Sequence, residues 1–129
     1  MESDVLVVDD SAAIRKILQR VLRQTGMAIR AIHEAGDGRE ALAVLAANRI
    51  DLVLTDINMP TMDGLQLLKS LKGTEEWREI PVVMITTEGG ETKVAEAVRL
   101  GAAGYVRKPF TADQIKEKLA GILELALPL

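Results

Sequence analysis

The chain has 129 residues, the size of one domain that can bury a hydrophobic core. A composition of 48% hydrophobic and 27% charged residues excludes wholesale disorder, and a formal charge of −3 argues against a nucleic-acid partner, for which a net basic footprint is expected. No cysteine is present, which excludes a disulfide framework, a thiol nucleophile and a zinc–cysteine site. The longest apolar runs are strand-length and Met1-Glu2-Ser3-Asp4 does not open like a signal peptide, so neither a membrane span nor export is expected, and the cytoplasm is the expected location.

Only Trp77, Tyr105 and Phe110 are aromatic, so the core is expected to be aliphatic. Short apolar runs at Val5–Val8, Ile29–His33, Leu52–Thr55, Val82–Thr86 and Tyr105–Val106 are predicted strands. Four of them show little polar alternation, as expected of parallel strands covered on both faces; the mixed run Ile29–His33 reads as an edge strand. Helical period follows each run. Ile14, Ile17, Leu18, Val21 and Leu22 form the first apolar stripe, with Arg15, Lys16, Gln19, Arg20 and Arg23 opposite. Ala41, Leu42, Val44 and Leu45 form the second, and Leu65, Leu68 and Leu71 the third. Val94, Ala97, Val98 and Leu100 form the fourth, and Ile115, Leu119, Ile122 and Leu123 the fifth. The pairs Asp37/Glu40, Asp63/Gln66 and Thr111/Gln114 are capping-box starts, and Gly26 and Gly101 stand where the first and fourth helices should stop. With no linker or repeat, strand and helix alternating along 1–129 predict an α/β domain: a doubly wound parallel sheet with helices on both faces.

Ligands of such sheets bind at the carboxyl ends of the strands. Here those ends carry Asp9-Asp10, Asp56, Thr86-Thr87 and Arg107-Lys108-Pro109. If the first and third strands are neighbours, three carboxylates converge, and at ~5 Å and an effective dielectric of 20 each pair repels by roughly 3 kcal/mol. A cation must offset this. The candidate ligands are all oxygens, which suits Mg²⁺ better than Ca²⁺, and the Lys108 stem is long enough to bring its ammonium towards Asp56. Carboxylate, hard metal, hydroxyl and lysine are the parts of a phosphoryl-transfer site. Neither GxxxxGK[ST] nor GxGxxG occurs, so a nucleotide donor has no support.

Asp9-Asp10, Asp56 followed by Ile57-Asn58-Met59-Pro60 and Asp63-Gly64, then Thr86, then Lys108-Pro109-Phe110, resemble the receiver domain of bacterial two-component response regulators. The resemblance runs from about Asp4 to Leu123 and is to single-domain, CheY-like members, whose fold is a five-stranded parallel sheet of order 2-1-3-4-5, flavodoxin-like. It implies that Asp56 accepts a phosphoryl group from a sensor histidine kinase or phosphotransfer domain. It also implies that Asp10, Asp56 and the Asn58 carbonyl ligate Mg²⁺, with Asp9 acting through metal-bound water. Thr86 and Lys108 would hold the phosphoryl group, Tyr105 would switch inward, and the peptide before Pro109 would be cis. Asn58 and Glu88 would tune the lifetime of the acyl phosphate, as in chemotaxis-type members. The output would be read by a protein partner on the face of the fourth helix, fifth strand and fifth helix, with Lys93, Glu96, Tyr105 and Lys116 as contacts. Such a chain is not an enzyme beyond its own phosphorylation and dephosphorylation, and needs neither nucleic acid nor membrane.

Other readings attach to the same residues. The chain could be a receiver cut from a longer regulator with an output domain. It could be a small phosphatase with an aspartyl nucleophile, but that chemistry wants an aspartate two residues on, where Asn58 stands. A flavin-binding module would want a phosphate-cradling loop after the first strand. Asp9-Asp10 could simply cap the first helix, Asp63 reads as a cap and His33 as structural. The adjacent Thr86 and Thr87 are told apart only by the resemblance. Glu88-Gly89-Gly90-Glu91 reads as a mobile loop near the site. The basic face of the first helix is either solvated or a kinase-docking surface. The apolar tail from Leu123 to Leu129 is a packed end, a dimer seam or the stub of a linker.

Overall fold

A computed structural model describes residues 2–87 and 91–123. Ten elements alternate: β1 (Ser3–Val8), α1 (Ala12–Gln24), β2 (Ile29–Ala35), α2 (Gly38–Ala47), β3 (Leu52–Thr55), α3 (Gly64–Lys72), β4 (Val82–Thr86), α4 (Glu91–Arg99), β5 (Gly104–Arg107) and α5 (Ala112–Leu119). The strands form one parallel sheet in the order β2-β1-β3-β4-β5. The predicted β3 and β4 end where expected, while β1, β2 and β5 are each longer than predicted. No helix among the described residues is long and apolar enough to cross a membrane. Of the predicted loop Glu88-Gly89-Gly90-Glu91, the first three residues lie outside the described residues, as does the tail beyond Leu123, while Glu91 is not loop but opens α4.

The sheet builds two cores because neighbouring residues on a strand face opposite ways. Leu6, Val8, Val53, Val82 and Met84 pack against α2, α3 and α4 through Ala41, Leu45, Leu67, Leu68, Leu71 and Ala97. Val5, Val7, Leu52, Leu54, Val83 and Ile85 pack against α1 and α5 through Leu18, Leu22, Ile115 and Leu119. Each fully buried Val, Leu or Ile contributes about 1.5–3 kcal/mol, so the doubly covered β1, β3 and β4 anchor the fold. Two stripe residues break the predicted pattern. Ile17 is 44% exposed and Val98 57% exposed, because the stripes of α1 and α4 are wider than the sheet surface they cover.

Helix ends largely follow the predicted signals. Asp63 and Thr111 each accept from the N–H three residues on, and Gln66 and Gln114 return the bond to the cap N–H. At α2 the box is incomplete: Asp37 accepts from the Glu40 N–H, but the Glu40 carboxylate accepts from Gly36 instead of Asp37. Helix α1 is capped by Ser11, whose hydroxyl accepts from the Ile14 N–H at 3.2 Å, so neither Asp9 nor Asp10 serves as its cap. Gly26 (φ 76°) and Gly101 (φ 101°) take the left-handed conformation after α1 and α4, where a glycine avoids the Cβ penalty.

Candidate functional site

The order β2-β1-β3 places the reversal of strand order between β1 and β3. In that pair Val8 lies opposite Thr55, so the next residues, Asp9 and Asp56, emerge side by side. The Asp56 N–H donates to the Val8 carbonyl at 2.9 Å and continues the ladder one step into the crevice. Asp9, Asp10 and Asp56 each offer an oxygen, and these oxygens lie within 4.8 Å of one another. They grade from buried Asp9 through half-buried Asp56 to exposed Asp10, so the cluster opens to solvent on one side. Three hard oxygen donors with an open side suit a divalent cation that keeps several waters, as Mg²⁺ does.

Lys108 enters from the end of β5. Its ammonium donates to Asp9 Oδ2 at 2.7 Å and to Asp56 Oδ2 at 3.2 Å. Burial works to lower its pKa, but the hydrogen bond to Asp9 and the charges of Asp56 and Asp9 outweigh it and hold Lys108 above the ordinary lysine value. The two carboxylates thus favour its ammonium form. The second oxygens are also engaged: Asp9 Oδ1 accepts from the Ser11 N–H at 2.9 Å, and Asp56 Oδ1 from the Ile57 N–H at 2.7 Å. The Lys108–Pro109 peptide is cis.

The remaining expected residues surround this centre. Thr86 is fully buried at the end of β4, and its carbonyl accepts from the Lys108 N–H at 3.0 Å. Thr87 is exposed and lines an apolar pocket of about 310 Å³ with Ile14, Ile17, Lys108, Pro109 and Phe110. Burial therefore distinguishes the two threonines that sequence alone left adjacent. Asn58 is exposed two residues past Asp56, and its side-chain oxygen accepts from Lys93 Nζ at 3.1 Å. Tyr105 is 39% exposed on β5, and Lys118 Nζ stands 5.8 Å from its ring centroid.

Asp63 is the cap of α3, as read from its spacing. His33 Nε2 lies 3.5 Å from Asp4 Oδ2, towards the opposite end of the sheet from the crevice, which fits a structural role. The basic face of α1 is not uniformly solvated. Arg15 donates to Glu34 at 2.9 Å and to the Asp9 carbonyl at 2.6 Å, and Arg23 donates to the Ile29 carbonyl at 2.9 Å. Lys16 and Arg20 are exposed.

Sequence reasoning missed the role of Gly64. A Cβ there would lie 2.1 Å from the Asp56 carbonyl oxygen and 3.0 Å from Ile57 Cα. Helix α3 therefore starts against the backbone of Asp56, with the Gly64 N–H donating to the Ile57 carbonyl at 2.8 Å. The available signal was a glycine at the first helical position, where its poor propensity needs a steric reason. Next to it, Thr61 holds φ 67° and the Met62 N–H donates to the Pro60 carbonyl at 2.7 Å, a tight turn that closes the loop from Ile57 to Asp63.

Comparison with known proteins gives the same picture. Residues 5–120 match the response regulator receiver domain family. The chain is 43% identical over 120 residues to the chemotaxis protein CheY-3 of Vibrio cholerae, covering 93% of this chain and 91% of that one. It is 44% identical over 120 residues to the chemotaxis protein CheY1 of Helicobacter pylori, covering 92% and 95%. The solved structure of the V. cholerae chemotaxis protein CheY4 superposes with a TM-score of 0.85 at 34% identity, covering 95% of this chain and 100% of that one. The chain belongs to the response regulator receiver domain family, as a CheY-like receiver.

Proposed function

We propose that the chain is the phospho-accepting element of a two-component relay, with Asp56 as acceptor. The observation that carries this reading is the Asp9–Asp10–Asp56 cluster with the Lys108 ammonium on two of its three carboxylates. An Asp56 oxygen attacks the phosphorus of a kinase phosphohistidine, the P–N bond breaks, and the electron pair returns to the imidazole, which takes up a proton. Lys108 neutralises charge on the phosphoryl oxygens and the Thr86 hydroxyl donates to another. Asp9, Asp10, Asp56 and the Asn58 carbonyl would hold Mg²⁺, which when bound offsets the crowding of negative charge.

Receiver domains of this kind work between a histidine kinase and a downstream target. On this reading the kinase phosphotransfer domain would dock over the pocket of Ile14, Ile17, Thr87, Pro109 and Phe110 beside Lys108. The downstream partner would read the α4-β5-α5 face through Lys93, Glu96, Tyr105 and Lys116. The names of the relatives favour a chemotaxis pathway. No turnover of a separate substrate is proposed.

The test is intact mass after incubation with acetyl phosphate and Mg²⁺, comparing wild type with Asp56→Asn. One phosphoryl group gained by the wild type and lost in the variant is the expected result. No gain in the wild type would overturn the acceptor role.

A further inference from the structure

Lys93 stands in the first turns of α4 and is half-buried. Its ammonium bonds to the side-chain oxygen of Asn58, a contact across 35 positions of sequence that ties α4 to the rim of the acidic crevice. Two lysines thus flank the crevice. Lys108 arrives from the end of β5 and bonds carboxylates; Lys93 arrives from α4, whose Ala97 is packed in the core shared with α2 and α3, and bonds a neutral amide. At the crevice Lys93 thus bonds a carboxamide, where Lys108 bonds carboxylates.

We propose that Lys93 is a positioning residue that lengthens the life of the phosphoryl group on Asp56, by keeping the Asn58 carboxamide from orienting the water that removes it. The proposal rests on Asp56 being the acceptor. In hydrolysis a water oxygen bonds to phosphorus while the P–O bond to Asp56 breaks; the electron pair returns to the carboxylate and the water's proton leaves with inorganic phosphate. That water enters in line with the departing Asp56 oxygen, from the solvent side of the phosphoryl group. Asn58 is exposed, two residues past Asp56. A carboxamide oxygen can accept from the attacking water and aim it. Lys93 occupies that oxygen and helps to hold the amide in place.

The experiment follows the decay of the phosphorylated protein by intact mass, after acetyl phosphate is removed. Four variants are compared with wild type: Lys93→Met, Lys93→Arg, Asn58→Ala, and Asn58→Ala with Lys93→Met. Loss of one charge-assisted hydrogen bond should speed decay about three- to tenfold in Lys93→Met. Arginine, which can still donate to Asn58, should restore most of the wild-type lifetime. In the Asn58→Ala background, Lys93→Met should change nothing further. Equal lifetimes for wild type and Lys93→Met would overturn the proposal. So would an acceleration that persists without the Asn58 side chain, because the lysine would then not act through it. Both results leave the acceptor role standing, whereas a wild type that gains no phosphoryl group overturns that role and this one together.

Discussion

Lys108 stands closer to Asp9 than to Asp56, at 2.7 Å against 3.2 Å. The ammonium is therefore shared between the most buried carboxylate of the crevice and the proposed acceptor, with the shorter bond to Asp9. On that reading, phosphoryl oxygens on Asp56 would draw the ammonium towards them. Asp9 would then need another cation, which would link metal binding to phosphorylation through a single lysine.

Lys108→Met tests this sharing. The variant keeps the stem and removes the charge, so a charge-assisted bond worth about 1.5–3 kcal/mol is lost and phosphorylation by acetyl phosphate should slow by at least about tenfold. The same change removes a cation that competes for Asp9, so Mg²⁺ should bind more tightly, as read by calorimetric titration. Weaker Mg²⁺ binding in the variant would show that Lys108 organises the carboxylates instead of competing for them.

Gly64→Ala tests the close approach of α3 to β3. The added carbon would sit 2.1 Å from the Asp56 carbonyl oxygen, which is backbone and cannot rotate away. Relief requires moving either the start of α3 or the Asp56 peptide. Overpacking of this kind costs about 1–3 kcal/mol, so the denaturant midpoint should fall and phosphorylation should fall with it. Unchanged stability would mean that the loop from Ile57 to Asp63 gives way freely.

The strands were legible where burial is complete on both faces. β3 and β4 stop where their apolar runs stop, because Asp56 and Thr87 cannot continue a doubly covered strand. β2 was read too short, since its last residues, Glu34 and Ala35, pair with Val7 and Val8 at an edge where one side of the strand meets solvent. The carboxylate cluster was legible because adjacent strand ends need only the strand order to bring them together. Side-chain choices within reach of several partners were not. Spacing places Lys108 near the crevice but does not rank Asp9 above Asp56, and helical period cannot show that Arg15 turns to Glu34 and the Asp9 carbonyl. Nor can the spacing of Asp37 and Glu40 show that the Glu40 carboxylate accepts from Gly36.

Asp4 gives the fold an acid-side limit independent of the crevice. It is buried on β1 and its Oδ2 accepts from Arg30, with His33 Nε2 at 3.5 Å. Burial alone would raise its pKa, but the bonds and charges of Arg30 and His33 outweigh it and hold Asp4 below the usual aspartate value. A carboxylate whose folded pKa is depressed adds stability above its unfolded pKa near 3.8, and that stability is lost as pH falls through the lower folded value. Asp4→Asn should therefore cost about 1 kcal/mol at neutral pH, a figure kept small because the Arg30 side chain is 65% exposed. The wild type and the variant should converge below pH ~4. Parallel stability curves down to pH ~2 would show that Asp4 does not titrate with folding.

Tyr105 is held on the outer side of β5 with the Lys118 ammonium 5.8 Å from its ring centroid, a cation–π contact worth about 0.5–1 kcal/mol at an exposed site. So small a bias would leave an inward position accessible if Thr86 were drawn to a phosphoryl group as proposed, and the two residues share a sheet face, Tyr105 lying opposite Met84 and next but one to Thr86. Tyr105 is the chain's one tyrosine, so its ring resonances are unambiguous in NMR spectra. The Lys118 ε-methylene protons should be shifted upfield by the ring in the resting protein and return to ordinary values with acetyl phosphate and Mg²⁺. Tyr105→Ala should abolish the upfield shift while leaving the mass gain on Asp56 intact. Lys118 resonances that stay shifted in the phosphorylated protein would make Tyr105 a fixed edge aromatic, and the output would then have to pass through α4 alone.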